Sequence, residues 1–282
     1  MDDLKRYGDW FATRPRLAAT RTVPDWDLVT GHGPVIAAAV HDGHHMRPGL
    51  VPHLAIDEAG RRRDEDPMTG LLTEVGDVRI RVRTSRFEVD LNRPRELALS
   101  TDPEDTWGIR FWKGTLPPQE LERSLAIHDR FRAMFTGLME HMLDRWDQVL
   151  LLDLHSYNHR RDGAEAAPAD PAGNPDIDLG ITTLHPERWG RVAERFTDVL
   201  RRHRVAGREA DVRANVRYPT GGDFPEWVYA TWGQAACTIT VEYKKTYMDE
   251  WTGQVDLEAV EDLRDGLQAA VDAVRPEFLS CR

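Results

Sequence analysis

Cysteine is scarce. Only Cys237 and Cys281 occur in 282 residues, which argues against a disulfide framework and rules out a metal site built on several thiolates. Any metal would have to rest on histidine and carboxylate. Long apolar runs are missing too. None approaches the roughly 20 residues needed to cross a bilayer, and the opening MDDLKRYGDW lacks the apolar core of a secretion signal. The expectation is a cytoplasmic protein with no membrane partner. There is no glycine-rich phosphate loop, internal repeat or low-complexity tract. Basic charge is in deficit, with 37 Lys and Arg against 48 Asp and Glu and a net charge of −11. That balance argues against a general nucleic-acid binder. A local cluster such as Arg61, Arg62 and Arg63 could still receive an anion, although such clusters most often form a solvated face.

What is present suits a soluble α/β protein. With 40% hydrophobic and 30% charged residues, the chain can bury a sizeable core. A single domain over residues 1–282 is expected, with an irregular N-terminal arm over about 1–30 where Trp10, Phe11 and Trp26 follow no clean period. Strands are expected at 35–40, at 78–82 where Val78, Ile80 and Val82 alternate with arginine, and through Phe87, Val89 and Leu91. Further strands are expected from 149, over 211–218 and over 237–243. Helical spacing predicts helices over 118–146, 187–203 and 257–274. The first of these runs straight into the strand at 149, the αβ step of a mainly parallel sheet. Residues 159–177 are rich in Ala, Pro, Gly and Asp and read as a lid or wall.

Chemistry-bearing residues gather where strands end. VLLLDLHSYN over 149–158 is an apolar run that turns polar at its C-terminal end, where open α/β sheets place their sites. His155 is there a candidate metal ligand or base, and Tyr157 a wall of the pocket. Residues 35–40 end similarly in His41, Asp42, Gly43, His44 and His45, and His41 is preferred because it directly follows the strand. Two neutral imidazoles and one carboxylate would leave Zn²⁺ a fourth position for water. Asp66 and Glu65 both qualify as that carboxylate, yet Asp66 before Pro67 equally reads as the N-cap of a helix. Asn92 and Arg93 close a strand and could bind a carboxylate, with Asp90 orienting the guanidinium, or could simply close a loop. Asn215, Arg217 and Tyr218 precede a Gly221–Gly222 turn that permits close backbone approach. Glu242, near the end of CTITVEY, reads either as a general base or as a charge on an edge strand.

Taken in order, VHDGHH, EDPMTGLL, DLNRP, DLHSYN, NVRYPTGG and VEYKKTYMDE resemble the N-formylglutamate amidohydrolase family over about residues 34–252. The Asp-Leu-His-Ser and Asp-Leu-Asn-Arg-Pro segments are the more specific of these. Where the family pattern usually reads Pro-His-Ser-Gly, this chain carries Val40, His41, Asp42 and Gly43. The resemblance implies a three-layer α/β domain, a mixed, mainly parallel sheet flanked by helices, similar to zinc metallocarboxypeptidases. It also implies Zn²⁺ on His41, His155 and Asp66, with Glu65 as the alternative to Asp66. Glu242 would act as general base and acid. Asn92 and Arg93 would grip a substrate carboxylate, with Arg217 as a second anion contact.

The implied reaction is hydrolysis of the amide of an N-formyl or N-acyl amino acid that carries a free carboxylate. Carboxypeptidase-like trimming of a peptide or amino-acid conjugate is the neighbouring alternative. A non-catalytic binding protein on the same fold is the distant one.

Overall fold

The computed structural model describes residues 23–106 and 108–281. Among the described residues fifteen helices and strands, apart from short 3₁₀ turns, order themselves as follows. Trp26–Val29 (β1) and Val35–Ala39 (β2) open the chain, followed by two short helices, Glu58–Asp64 (α1) and Thr69–Leu72 (α2). Val78–Val82 (β3) leads, through a long irregular stretch, to Pro118–Trp146 (α3) and Val149–Tyr157 (β4). Ile177–Gly180 (β5), Pro186–Arg202 (α4) and a small hairpin of Arg204–Val205 (β6) with Arg208–Glu209 (β7) come next. Val212–Ala214 (β8), Asp223–Trp232 (α5), Ala236–Lys244 (β9) and Leu257–Ser280 (α6) complete it.

Seven strands form one sheet in the order β1-β3-β2-β4-β9-β5-β8. β3, β2, β4 and β9 run parallel, β1 is antiparallel to β3, and β5 and β8 are parallel to each other but antiparallel to β9. The molecule is thus an α/β domain with a mixed, mainly parallel sheet between helical layers. Central strands covered on both faces need apolar residues throughout, and VIAAA of β2 is wholly buried. In β4, Leu150, Leu152 and Leu154 pack with residues of α4 and α6, among them Trp189, Phe196, Leu267 and Phe278. Val149 and Leu151 pack on the other face with Phe131 and Phe135 of α3 and Phe224 of α5. By the two-residue period of a strand, Asp153 and His155 follow Val149 and Leu151 onto that second face.

Several expectations need correction. Part of the supposed irregular arm, Trp26–Val29, is an edge strand, pairing Trp26 with Val82 and burying its indole edge-on against Phe131; residues 1–22, with Trp10 and Phe11, lie outside the described residues. Phe87, Val89 and Leu91 are buried but form no strand. Their alternation reflects loops packed into two separate clusters, Phe87 in one and Val89 and Leu91 in the other, while Glu88 between them is buried against Arg47. No helix starts at Pro67: α1 is capped by Asp57, whose side chain accepts from Gly60 N, and α2 begins only at Thr69 after Met68 in the left-handed region. β8 stops at Ala214 because Asn215 turns left-handed, at φ 57°. The last helix runs past 274, through Pro276, because Phe278 still stacks on Trp189, with ring centroids 5.1 Å apart. Among the described residues no helix is long and apolar enough to cross a membrane.

Candidate active site

The C-terminal ends of three neighbouring parallel strands meet at one edge of the sheet. His41 sits just past β2, His155 near the end of β4, and Glu242 near the end of β9, in register with His155. β9 is an interior strand between β4 and β5, so Glu242 is not an edge-strand charge. It faces a cavity of about 340 Å³ together with His41, Asp66, Arg86, Asn92, Arg93, His155 and Arg217.

The two imidazoles and Asp66 converge. His155 Nδ1 lies 2.9 Å from Asp66 Oδ2 and His41 Nδ1 lies 3.5 Å from the same oxygen. The ring centroids are 4.8 Å apart, and one donor atom from each of the three residues falls within 4.8 Å of the others. All three side chains are buried, at 2% exposure, where an uncompensated charge or dangling polar atom is costly. On the far side of each ring stands a second carboxylate. His41 Nε2 is 2.6 Å from Asp90 Oδ1, and His155 Nε2 is 3.1 Å from Asp153 Oδ1. Carboxylates so placed favour a proton on Nε2 and an inward-facing Nδ1 lone pair, the arrangement that orients metal-ligating histidines. His41 Nδ1 is buried with no hydrogen-bond partner. The donor set, two nitrogens and an oxygen with an open side on a cavity, fits a metal of the zinc type.

Glu65 is turned away from this cluster. Its carboxylate takes His44 Nδ1 at 2.5 Å and bonds to Ser85 Oγ and Arg61, so it orders the 44–45 loop instead. Asp42, at the departure from the family pattern, binds Gly70 N at 3.0 Å and Arg81 Nε at 2.5 Å and so ties His41's loop to α2. Gly43 is required there: a Cβ would lie 2.3 Å from the carbonyl carbon of Arg83.

The anion-binding candidates divide. Arg93 lines the cavity, with Nε 3.4 Å from Asp90 Oδ2. Arg217 also lines it, stacked over Tyr157 and Tyr218 and bonded through Nη1 to Asn174 Oδ1. Its loop is ordered by buried Asp178, which accepts the backbone N–H groups of Val216, Arg217 and Tyr218. Asn92 reaches the cavity, but its amide is engaged: Nδ2 donates to Gly221 O at 2.6 Å and Oδ1 accepts from Phe224 N at 2.9 Å. Gly222, at φ 106°, approaches so closely that a Cβ would lie 2.7 Å from that amide. Tyr157 is not part of the main cavity wall. It lines a smaller adjoining recess, and its hydroxyl donates to Pro175 O. One cavity residue escaped the sequence reading, Arg86, whose Nη2 donates to Asp90 Oδ2 at 2.8 Å. It lies in a stretch with strand-like alternation, where a lone arginine reads as surface.

Electrostatics follow from this packing. Burial opposes ionisation of Asp66, but the two imidazoles beside it, His155 and His41, outweigh that and hold the carboxyl far below its ordinary range. Burial likewise opposes the His155 imidazolium, while Asp153 and Asp66 raise its pKa well above the usual value. Glu242 has no such partner: burial pushes its carboxyl up to about 8, with His155 pulling the other way. An acid whose pKa is higher in the folded chain stabilises the fold fully below the ordinary carboxylate range, and loses that contribution as pH rises through the folded value. The raised His155 acts with the same sign. The metal-free protein is therefore expected to melt at lower temperature as pH is raised from roughly 5 to roughly 9. Calorimetry across that range should give a flatter slope for Glu242→Gln; equal slopes would show that Glu242 does not carry the effect.

The model of the N-formylglutamate amidohydrolase family matches residues 33–248, close to the span marked by the motifs. No curated protein gives a significant match. Among solved structures, N-formylglutamate amidohydrolase from Ralstonia eutropha JMP134 matches with a TM-score of 0.68 at 18% identity, over 90% of this chain and 100% of that one. A gene product from Agrobacterium tumefaciens matches with a TM-score of 0.59 at 16% identity, over 89% of this chain and 96% of that one. A metallo-carboxypeptidase from Burkholderia cenocepacia is also found, at a TM-score of 0.38 and 15% identity, over 97% of this chain and 69% of that one. The two likenesses with TM-scores of 0.68 and 0.59 speak for the fold, and the family match spans most of the sequence. The chain belongs to the N-formylglutamate amidohydrolase family.

Proposed function

We propose that this protein is a zinc-dependent hydrolase that cleaves the amide bond of an N-formyl or N-acyl amino acid carrying a free carboxylate. The observation that carries this reading is the inward-facing His41, Asp66 and His155 set, backed by Asp90 and Asp153 and opening on the cavity that holds Glu242. His41 Nδ1, His155 Nδ1 and the Asp66 carboxylate would hold Zn²⁺. When bound, Zn²⁺ supplies Lewis acidity toward a carbonyl oxygen and lowers the pKa of water toward about 7.

The remaining work falls to the chain's own side chains. Glu242 takes the proton from the attacking water and returns it to the leaving amine. Its buried, acid-rich setting favours the protonated form, which suits the second of these steps. Arg93 pairs with the substrate carboxylate and places the amide carbon over the three ligands, a positioning effect able to supply several kcal/mol. Arg217 offers a second guanidinium to the same cavity. Tyr157 supports it from below through the cation–π contact, with the guanidinium carbon 4.8 Å from its ring centroid. Asn92 holds the Gly221–Gly222 turn that lines the cavity. Arg86, braced by Asp90, stands beside Asp66 and offers its guanidinium to negative charge developing on the carbonyl oxygen.

A hydrolysis screen of N-formyl, N-acetyl and short-peptide substrates, with and without a chelator, tests the reading. Chelator-sensitive release of a free amino acid from the N-formyl or N-acyl compounds is expected. Arg93→Ala is expected to raise KM for these substrates by about 10- to 100-fold, since a charge-assisted pair contributes about 1.5–3 kcal/mol. Turnover of peptides alone would replace the acyl-amino-acid reading with carboxypeptidase-like trimming. Absence of bound zinc and of hydrolysis would leave a binding protein.

A further inference from the structure

Asp66 lies in a chain segment that has left α1 and not yet entered α2, so its neighbours' carbonyls have no helical partners. Buried carbonyls must find donors elsewhere. They find them on the segment that follows Glu242. Lys245, 1% exposed, donates from Nζ to Arg63 O at 2.6 Å, to Glu65 O at 2.7 Å and to Asn158 Oδ1 at 2.9 Å. Its three N–H bonds are thereby all used. Asn158, just beyond β4, passes the connection on, donating from Nδ2 to Asp64 Oδ1 at 2.9 Å. Tyr247 donates its hydroxyl to Pro67 O at 2.7 Å. The carbonyls of residues 63, 65 and 67 are thus gripped on alternate positions around Asp66, while Asp66 N donates to His41 O at 3.0 Å.

This pattern goes beyond filling a hydrogen-bond deficit. An ammonium is expensive to bury, and here the cost is met at one point beside the imidazole–carboxylate cluster, with all three donors used. Here the ammonium holds the backbone carbonyl of the residue next to Asp66, the carboxylate that faces the two imidazoles, and it joins the ends of β4 and β9 to the segment between α1 and α2. We propose that Lys245 is a positioning residue of the metal centre, which fixes the Asp66 carboxylate between His41 and His155 and so sets the affinity for the ion. The inference rests on the zinc reading above.

Lys245→Met keeps length and removes the charge and all three donors. The probes are Zn²⁺ affinity, measured by competition with a chromophoric chelator, and the melting temperatures of metal-free and Zn²⁺-loaded protein. Zn²⁺ affinity is expected to fall by about 10- to 100-fold, the usual loss when a group supporting a metal ligand is removed. The rise in melting temperature on adding Zn²⁺ should shrink with it, while KM at saturating Zn²⁺ stays near the wild-type value. Tyr247→Phe removes one hydrogen bond at constant shape and is expected to lower Zn²⁺ affinity less, by several-fold; it decides the matter if Lys245→Met does not fold. A merely structural lysine would lower both melting temperatures equally and leave Zn²⁺ affinity unchanged. That result, in Lys245→Met or, failing it, in Tyr247→Phe, overturns this inference alone. A wild-type protein that takes up no Zn²⁺ overturns the zinc reading as well.

Discussion

Replacing Glu242 with glutamine is expected to reduce hydrolysis by about 10²- to 10⁴-fold, the range that proton transfer by a positioned side chain contributes. The amide keeps the volume of the carboxyl and lines the same cavity, so packing against the end of β4 is preserved. Because Glu242 is outside the inward-facing ligand set, metal content should be unchanged. The pair of readings is diagnostic: activity lost with zinc retained assigns the proton transfer to Glu242. Retained activity would remove it from the mechanism. The substitution also removes the acid that burial pushes up to about 8, so metal-free protein should become more nearly pH-independent in stability, as described for the melting series.

His155→Ala is expected to have the other large effect, on the metal itself. Zinc content should fall from about one ion per chain toward none, because two remaining ligands rarely hold Zn²⁺ against solvent. Activity should fall with it. The change also strands Asp153, fully buried behind the missing ring. An uncompensated buried charge typically costs about 3–5 kcal/mol, so the metal-free variant should also melt below metal-free wild type. Elemental analysis of the purified protein, together with calorimetry on chelator-treated samples, separates the two losses. Full zinc occupancy in His155→Ala would sink the ligand assignment.

The parts of this molecule that could be read from sequence are those governed by period and spacing. The helix at Pro118–Trp146, the strand at Val149–Tyr157 and the one at Ala236–Lys244 follow from apolar repeats that tertiary packing reinforces. In β4 the same period already places Asp153 behind His155, because residues two apart share a face. Loops were harder. Phe87, Val89 and Leu91 alternate like a strand, yet their stretch is a loop whose apolar side chains divide between two clusters, Phe87 in one and Val89 and Leu91 in the other. Arg86 was hidden for the same reason. Glu65 and Asp66 are adjacent and chemically alike; only the fold decides that Glu65 turns to His44 and Ser85 while Asp66 turns to the imidazoles. Asn92 shows the converse. Its place in DLNRP pointed to substrate, and it does reach the cavity, but most of its amide is used to pin a glycine turn more than a hundred residues away. Partners that distant in sequence leave no local pattern.

The register between β4 and β9 carries a further consequence. His155 and Glu242 stand opposite each other on adjacent parallel strands, and neighbouring strands are spaced about 4.8 Å apart whatever side chains they carry. The interval between the proposed ligand and the proposed proton-transferring group is therefore set by the backbone ladder, which point substitutions leave untouched. The arginines that would recognise the substrate, Arg93 and Arg217, stand on loops with no such ruler. On the proposed function, redesign toward a different acyl amino acid would be a problem of rebuilding loops around a fixed reaction gauge.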